Sequence, residues 1–154
     1  MGKRIQRNFN IKSYKSLKGS DLSMQKTLVL IKPDAMKKGV SSKIIDRIKE
    51  SFKIVEMKSM TLSKELANEH YHHVRTIPVF DEMIEFMTSS PILAMIVEGE
   101  DVISKLRAMV GKTRGAEAGT IRGDFGSDGY RNLIHASDSI ENAEIEIKRF
   151  FKEE

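Results

Sequence analysis

Hydrophobic residues form two unbroken runs in this chain, at residues 27–31 and 92–97. A short continuous apolar run is typical of a strand that is covered on both faces. Pro33 stops the first run, since proline has no backbone N–H to donate to a sheet. A β-like stretch at 54–62 and a short run at 133–135 predict two further strands.

Apolar residues at helical spacing predict the helices between these strands. Ser41 or Ser42 can cap a helix that runs to about Phe52, and Ser63 can cap one that runs through Val74. Serine favours such positions because its hydroxyl accepts a hydrogen bond from a free backbone N–H in the first turn.

The second half of the chain predicts three more helices around a long loop. Pro78 suits the first turn of one helix, and Gly111 ends the next. Asp138, with Glu141 three residues later, predicts the start of the last helix. Residues 111–131 form a glycine-rich loop, and loops of that length in a compact domain are usually functional.

The order of these elements predicts the fold class. Two βαβ units around one sheet give an α+β, ferredoxin-like βαββαβ sandwich with an antiparallel four-stranded sheet and added helices. At 154 residues, with 40% hydrophobic and 31% charged residues, the chain suits one soluble domain. It has no cysteine, which excludes disulfides and thiolate metal sites. We expect a cytoplasmic protein that does not associate with a membrane.

The net charge of +4 belongs to the first part of the chain. Residues 1–23 carry six basic groups and one acidic group, whereas residues 24–154 carry 20 basic and 21 acidic groups. We interpret residues 1–23 as a basic, flexible leader before a domain at 24–154. An extension before Met24, a targeting segment and an arm for anionic surfaces all remain open. The nearly neutral domain is not expected to bind nucleic acid.

Three segments carry candidate chemistry. His135 follows a short apolar run, with the amide of Asn132 three residues before it. Arg122 lies in the glycine-rich loop, and Lys32 follows the first buried strand. Together they indicate phosphoryl chemistry on a histidine. A P-loop is excluded, because its consensus requires a second glycine five residues before Gly111.

These segments resemble the nucleoside diphosphate kinases, over residues 25–152. The family pattern Asn-x-x-His-Gly-Ser-Asp stands at 132–138 with Ala136 in place of glycine. The signature Gly-Thr-Ile-Arg-Gly-Asp-Phe is intact at 119–125, and Ile-Lys-Pro-Asp is intact at 31–34. The resemblance implies transfer of the terminal phosphate of a nucleoside triphosphate to a nucleoside diphosphate through a phosphohistidine, with ping-pong kinetics.

The resemblance also implies the residues of the site. His135 is the expected nucleophile, supported by Glu146 and Ser137, with Tyr71 close by. The residues expected to bind nucleotide are Lys32, Val79, Arg107, Thr113, Arg122 and Asn132. The family implies magnesium as cofactor, held mainly by the nucleotide phosphates rather than by protein ligands. Nucleoside di- and triphosphates are the implied ligands, and the implied assembly is a homo-oligomer.

Three departures from the family pattern affect these expectations. Val79 stands where the family has a phenylalanine under the base, which predicts broad base tolerance and weaker stacking. Ala136 is tolerated if its backbone φ is negative. The loop at 113–119 is shorter than usual, which leaves both a tetramer and a hexamer of a shared dimer open.

Two other interpretations remain in view. The chain could be a non-catalytic nucleotide or nucleic-acid-binding module that uses the same pocket and the basic leader, or a histidine phosphotransfer protein. His70 and His73 stand one helical turn apart, a spacing that suits a metal, but we interpret them as part of an ordinary polar helix face.

Overall fold

The computed structural model describes residues 24–152, so the predicted leader at 1–23 lies outside the described residues. Within them, four strands form one antiparallel sheet: β1 (Met24–Ile31), β2 (Lys53–Met60), β3 (Ile92–Glu100) and β4 (Ile134–Ala136). The strands lie side by side in the order β2-β3-β1-β4. This order confirms the predicted α+β, ferredoxin-like sandwich.

The helices connect the strands and extend the βαββαβ frame. They are α1 (Pro33–Lys38), α2 (Ser41–Ser51), α3 (Lys64–His70), a 3₁₀ turn (His72–Val74), α4 (Phe80–Met87), α5 (Val102–Val110), α6 (Ile121–Phe125) and α7 (Ile140–Phe150). None of the helices in the described part of the chain is both long and apolar enough to cross a membrane.

Strand β1 lies in the middle of the protein and explains the first apolar run. Val29 and Ile31 pack into one hydrophobic cluster with α2 and α5, whereas Leu28 and Leu30 pack into a second cluster with α3 and α4. Successive residues of a strand point to opposite faces, so a strand covered on both sides must be apolar throughout.

Several predicted helix starts need correction. Ser63 does cap α3, since its Oγ accepts a hydrogen bond from Leu66 N. Helix α3 ends at His70, however, and the residues up to Val74 form a separate 3₁₀ turn. Helix α2 follows Val40, whose apolar side chain cannot cap it, and Val40 comes directly after the left-handed Gly39 (φ 74°). The predicted caps at Ser41 and Ser42 are therefore wrong.

The later helices also begin beyond the predicted residues. Helix α4 follows Val79, so Pro78 lies just before the helix and not in its first turn. Helix α7 is capped by Ser139, whose Oγ accepts from Asn142 N, while Asp138 accepts from the Asn142 side chain. Gly111 ends α5 as predicted.

Two short helices were missed. Pro33 opens α1, where a fixed φ and a missing N–H suit the first helical position, so it both ends the strand and begins a helix. Helix α6 lies inside the stretch predicted as loop, and Thr120 caps it by accepting from Gly123 N. Gly123 has no room for a side chain, because an added Cβ would lie 1.9 Å from the carbonyl oxygen of Glu117.

Candidate active site

His135 is the central residue of the short edge strand β4. Its neighbours Ile134 and Ala136 are buried in the cluster formed with α2 and α5. Strand alternation therefore places the His135 ring on the other face of the sheet, where its Nε2 lies 2.9 Å from Glu146 Oε1 on α7. Ala136 is not among the residues with positive φ, so the extra methyl group is accommodated as expected.

The Glu146 carboxylate fixes the proton of the His135 ring. Burial alone would raise the pKa of Glu146, but hydrogen bonds from His135 and from Ser137 Oγ (2.7 Å) outweigh it and hold the pKa below its usual value. Ser137 is itself buried and accepts from Leu28 N at 3.1 Å. Because an ionised carboxylate only accepts, His135 Nε2 carries the proton and Nδ1 keeps a lone pair.

Lys32 brings an amine into the interior, against Asn132. It is only 4% exposed, and its Nζ donates to Tyr130 O at 2.7 Å and to Asn132 Oδ1 at 2.8 Å. Burial lowers the pKa of Lys32 to about 7; Asp34 opposes this shift and Arg122 adds to it. The amine therefore changes charge near neutral pH.

Arg122 stabilises the turn that precedes His135 through hydrogen bonds to backbone carbonyl groups. It donates from Nη2 to Ile134 O at 2.7 Å, from Nε to Asn132 O at 2.9 Å and from Nη1 to Gly111 O at 3.0 Å. Burial lowers its pKa, and the nearby Arg107 adds to that effect. The sequence predicted a phosphate ligand here, and the structure adds a supporting role that the motif did not reveal.

Leu133 adopts an unusual backbone conformation between Asn132 and β4. Its φ is 76°, and Ile134 N donates back to Asn132 O at 2.9 Å across it, which makes a tight γ-turn. Asp34 Oδ2 accepts from Leu133 N at 3.0 Å. A left-handed non-glycine residue costs about 1–3 kcal/mol and persists only where its surroundings impose it, often at functional sites.

These side chains surround one open cleft with a volume of about 1640 Å³. Of the residues predicted for the site, the structure places nine on its walls: Lys32, Tyr71, Val79, Arg107, Thr113, Arg122, Asn132, His135 and Glu146. Ser137 lies behind the wall, in contact with Glu146. The sequence thus predicted side chains that come together from distant parts of the chain.

The cleft lining offers two kinds of side chain. Arg107 and Thr113 lie near Arg122: Arg122 Nη1 donates to Thr113 Oγ1 at 3.5 Å, and the charge of Arg107 lowers the pKa of Arg122. Arg107 Nη1 also donates to Ala136 O at 3.3 Å. The apolar lining includes Val74, Met83 and Val79, which is 39% exposed. Cationic side chains suit phosphates, and aliphatic side chains suit a flat base without reading its edge.

Tyr71 also lines the cleft. Its ring is buried, and among residues 24–152 its hydroxyl has no hydrogen-bond partner. Burial raises the pKa of Tyr71, so the hydroxyl keeps its proton and remains a donor.

Comparison with known proteins places this arrangement in a class. The family pattern of the nucleoside diphosphate kinases matches residues 25–154. The nucleoside diphosphate kinase of Acetivibrio thermocellus is 50% identical over 133 residues, which cover 84% of this chain and 98% of that protein. That of Methanothermobacter thermautotrophicus is 49% identical over 133 residues, covering 84% and 89%.

Solved structures agree with the sequence relatives. The Aquifex aeolicus nucleoside diphosphate kinase superposes with a TM-score of 0.79 at 42% identity, covering 84% of this chain and 96% of that one. The Halobacterium salinarum enzyme, solved in complex with CDP, superposes with a TM-score of 0.81 at 40% identity, covering 84% and 88%.

Fold and site together define a phosphotransferase of the ferredoxin-like α+β class. More narrowly, the chain belongs to the nucleoside diphosphate kinase family. Nothing in these comparisons supports the non-catalytic alternative.

Proposed function

We propose that His135 carries the phosphoryl group between nucleotides. The reaction of this family transfers the terminal phosphate of a nucleoside triphosphate to a nucleoside diphosphate. The observation that carries the proposal is the bond from His135 Nε2 to Glu146, which leaves the Nδ1 lone pair for attack. The lone pair forms an N–P bond, the bond from phosphorus to the bridging oxygen breaks, and the nucleoside diphosphate leaves with that electron pair.

The cationic side chains support this step by neutralising charge. Phosphoryl transfer depends mainly on positioning and on electrostatic stabilisation of the equatorial oxygens. We assign Arg107, Thr113 and Arg122 to the other phosphates, and Lys32 to the transferring phosphate and the ribose 3′-hydroxyl. Asn132, whose Oδ1 already accepts from Lys32, would hold the ribose hydroxyl through its amide.

The same charges indicate how a divalent cation is held. Mg²⁺ prefers oxygen ligands and retains several waters. The cleft is lined by the cationic side chains of Lys32, Arg107 and Arg122, which would hold part of the phosphate charge while phosphate oxygens and water hold the ion. When bound, Mg²⁺ would neutralise part of the negative charge of the phosphates.

The aliphatic side chains of the cleft lining support broad base tolerance. Val79, Val74 and Met83 offer no hydrogen-bonding group that could distinguish one base edge from another. A nucleotide base stacks more weakly on valine than on an aromatic ring, so we expect a raised KM for nucleotides.

Self-association is the second part of the proposal. Strand β2 lies at an edge of the sheet, and its Val55 and Met57 are 39% and 48% exposed. An exposed edge strand with apolar side chains is a ready surface for pairing with a second copy of the chain. We expect a homo-oligomer built from such a dimer, a tetramer or a hexamer. The cytoplasmic location stays a prediction.

Steady-state kinetics test the proposed reaction. With ATP as donor and GDP, CDP or dTDP as acceptor, we expect parallel lines in double-reciprocal plots. Intersecting lines would show direct transfer between two bound nucleotides and would exclude the covalent step.

A further inference from the structure

Asp124 belongs to the intact signature at 119–125, yet the site described so far gives it no role. It lies on α6, two residues after Arg122, and forms an ion pair with Arg47 on α2. Neither Asp124 nor Arg47 is among the described residues that line the cleft. The pair does not contact a nucleotide bound there, so any part it has in binding is indirect.

The two carboxylate oxygens of Asp124 have different partners. Oδ1 accepts from Gly119 N at 2.9 Å, and Oδ2 lies 2.7 Å from Arg47 Nη2. The hydrogen bond from Gly119, followed by that from Arg47, holds the pKa of Asp124 below its usual value, so the carboxylate stays ionised at neutral pH. The guanidinium carbon of Arg47 lies 4.6 Å from the centroid of the Phe125 ring. Asp124 therefore connects the backbone of Gly119 to helix α2.

The geometry of this ion pair distinguishes it from an ordinary surface pair. Exposed pairs usually contribute little, because holding two long side chains in one arrangement costs entropy. The side chains of Arg47 and Asp124 are only 31% and 29% exposed, and the guanidinium lies over an aromatic ring. The second oxygen of the carboxylate accepts from a backbone N–H, and such charge-assisted hydrogen bonds are among the stronger ones. The pair is therefore suited to fix the position of Gly119.

Gly119 is one end of a segment that we call the cleft loop, residues 112–118. At the other end, Arg122 Nη1 donates to Gly111 O at 3.0 Å. Thr113 lies between the two ends and lines the cleft. Close to Gly119 the loop also contacts α6 through the carbonyl oxygen of Glu117, against which Gly123 has no room for a side chain. The cleft loop is thus held at two points, and its phosphate-binding residue lies between them.

The two attachment points are independent of each other. Arg122 also donates to Asn132 O and Ile134 O, so its side chain remains in place when Asp124 or Arg47 is altered. Loss of the ion pair therefore releases the cleft loop at Gly119 and leaves it attached at Gly111.

We propose that Arg47 and Asp124 are positioning residues that hold the cleft loop, and with it Thr113, in the conformation that binds the nucleotide phosphates. Without the pair, nucleotide binding must also order the released loop, and that loss of entropy weakens binding. His135 and Glu146 lie on β4 and α7, so the rate of phosphoryl transfer at saturating nucleotide is unaffected. This inference rests on the proposed assignment of Thr113 to the phosphates.

Amide hydrogen exchange in the full-length protein tests the attachment of the loop without reference to activity. We expect the Gly119 amide to exchange about 10-fold or more faster in Asp124→Ala than in the unaltered protein, because its acceptor is a charged group. Asp124→Asn retains an acceptor oxygen and should give an intermediate rate. Equal exchange at Gly119 in Asp124→Ala and in the unaltered protein overturns the inference.

Calorimetric binding of ADP with magnesium tests the consequence for the site. Arg47→Met should weaken binding about 2- to 30-fold, the range for residues that act on a site they do not contact. Its rate of single-turnover phosphorylation at saturating ATP should stay unchanged. Arg47→Lys keeps a positive charge beside Asp124 and should recover most of the affinity. Lys64→Met removes a surface ion pair with Glu85, neither of which lines the cleft, and as the matched control it should bind ADP normally.

A double-mutant cycle then tests whether the effect passes through Thr113. Thr113→Ala should weaken ADP binding, and adding Arg47→Met should weaken it little further, because the contact that the pair positions is already gone. Additive losses, normal ADP binding by Arg47→Met, or a slower phosphorylation at saturating ATP with unchanged affinity would each overturn the inference. Thermal unfolding confirms that each variant is folded. Failure of the proposed function itself would appear differently, as an unaltered protein that binds ADP but is not labelled by ATP.

Discussion

Lys32 shows how a single buried side chain couples nucleotide binding to pH. Its pKa is lowered to about 7 by burial, and a polyphosphate beside it would favour the charged form and raise that pKa again. Below pH 7 the Lys32 amine of the free protein already carries its proton. Above pH 7 the amine is mostly neutral, so nucleotide binding must draw a proton from solution. Nucleotide affinity should therefore fall as the pH rises above 7.

We predict that binding of ADP with magnesium at pH 8 takes up a proton. Isothermal titration calorimetry in buffers of different ionisation enthalpy measures the uptake directly. Lys32→Met should abolish it, and the unaltered protein at pH 6 should show much less. Equal uptake in Lys32→Met would assign the proton to another group.

Val79 stands where the resemblance to the family leads us to expect a phenylalanine under the base. Val79→Phe should lower the KM for nucleoside diphosphates about 2- to 10-fold, because aromatic stacking contributes about 0.5–1.5 kcal/mol beyond buried area. The measurement is KM for several acceptors at saturating ATP. Val79→Leu adds volume without a ring and should change KM little; an equal effect of leucine would rule out stacking as the cause.

At the scale of elements, the sequence predicted strands better than helix starts. The run that became β1 is apolar because both faces are covered, so hydrophobic pattern alone was sufficient. Helix starts depend on which nearby polar group reaches a backbone N–H. Asp138 and Ser139 both suited the cap of α7, and only the course of the chain selects Ser139.

The γ-turn at Leu133 could not be predicted, because its cause lies elsewhere in the chain. Leucine has no preference for positive φ. The conformation is stabilised by Asp34, which is far from Leu133 in the sequence, and by Arg122, whose motif does not reveal this supporting role. The motif residues Asn132 and His135 were found from their spacing, but the turn that places Asn132 against Lys32 was not.

We predict that Asp34→Ala destabilises this turn. Removing the carboxylate leaves the buried Leu133 N–H without its acceptor, which costs about 1–3 kcal/mol. Chemical denaturation measures the loss, and turnover should fall with it because Asn132 and His135 flank the turn. Asp34→Asn retains an acceptor oxygen and should lose much less; identical losses in both variants would mean that the hydrogen bond to Leu133 is not the cause.

For the whole molecule, the exposed edge of the sheet makes assembly testable. Multi-angle light scattering should give the mass of a tetramer or a hexamer for the unaltered chain. Val55→Lys with Met57→Lys should give a smaller species, because two charges on an edge strand oppose pairing. Val55→Thr with Met57→Leu, which adds no charge, is the control. A monomeric unaltered chain, or a charged variant of unchanged mass, would exclude β2 as the interface.

The most direct test of the whole account is the phosphorylation of the resting protein. Incubation with ATP and magnesium, without an acceptor, should add one acid-labile phosphoryl group per chain, which mass spectrometry should locate on His135. Addition of a nucleoside diphosphate should remove it, and His135→Ala should carry none. Labelling that persists in His135→Ala, or that resists acid, would contradict the assignment of this imidazole as the nucleophile.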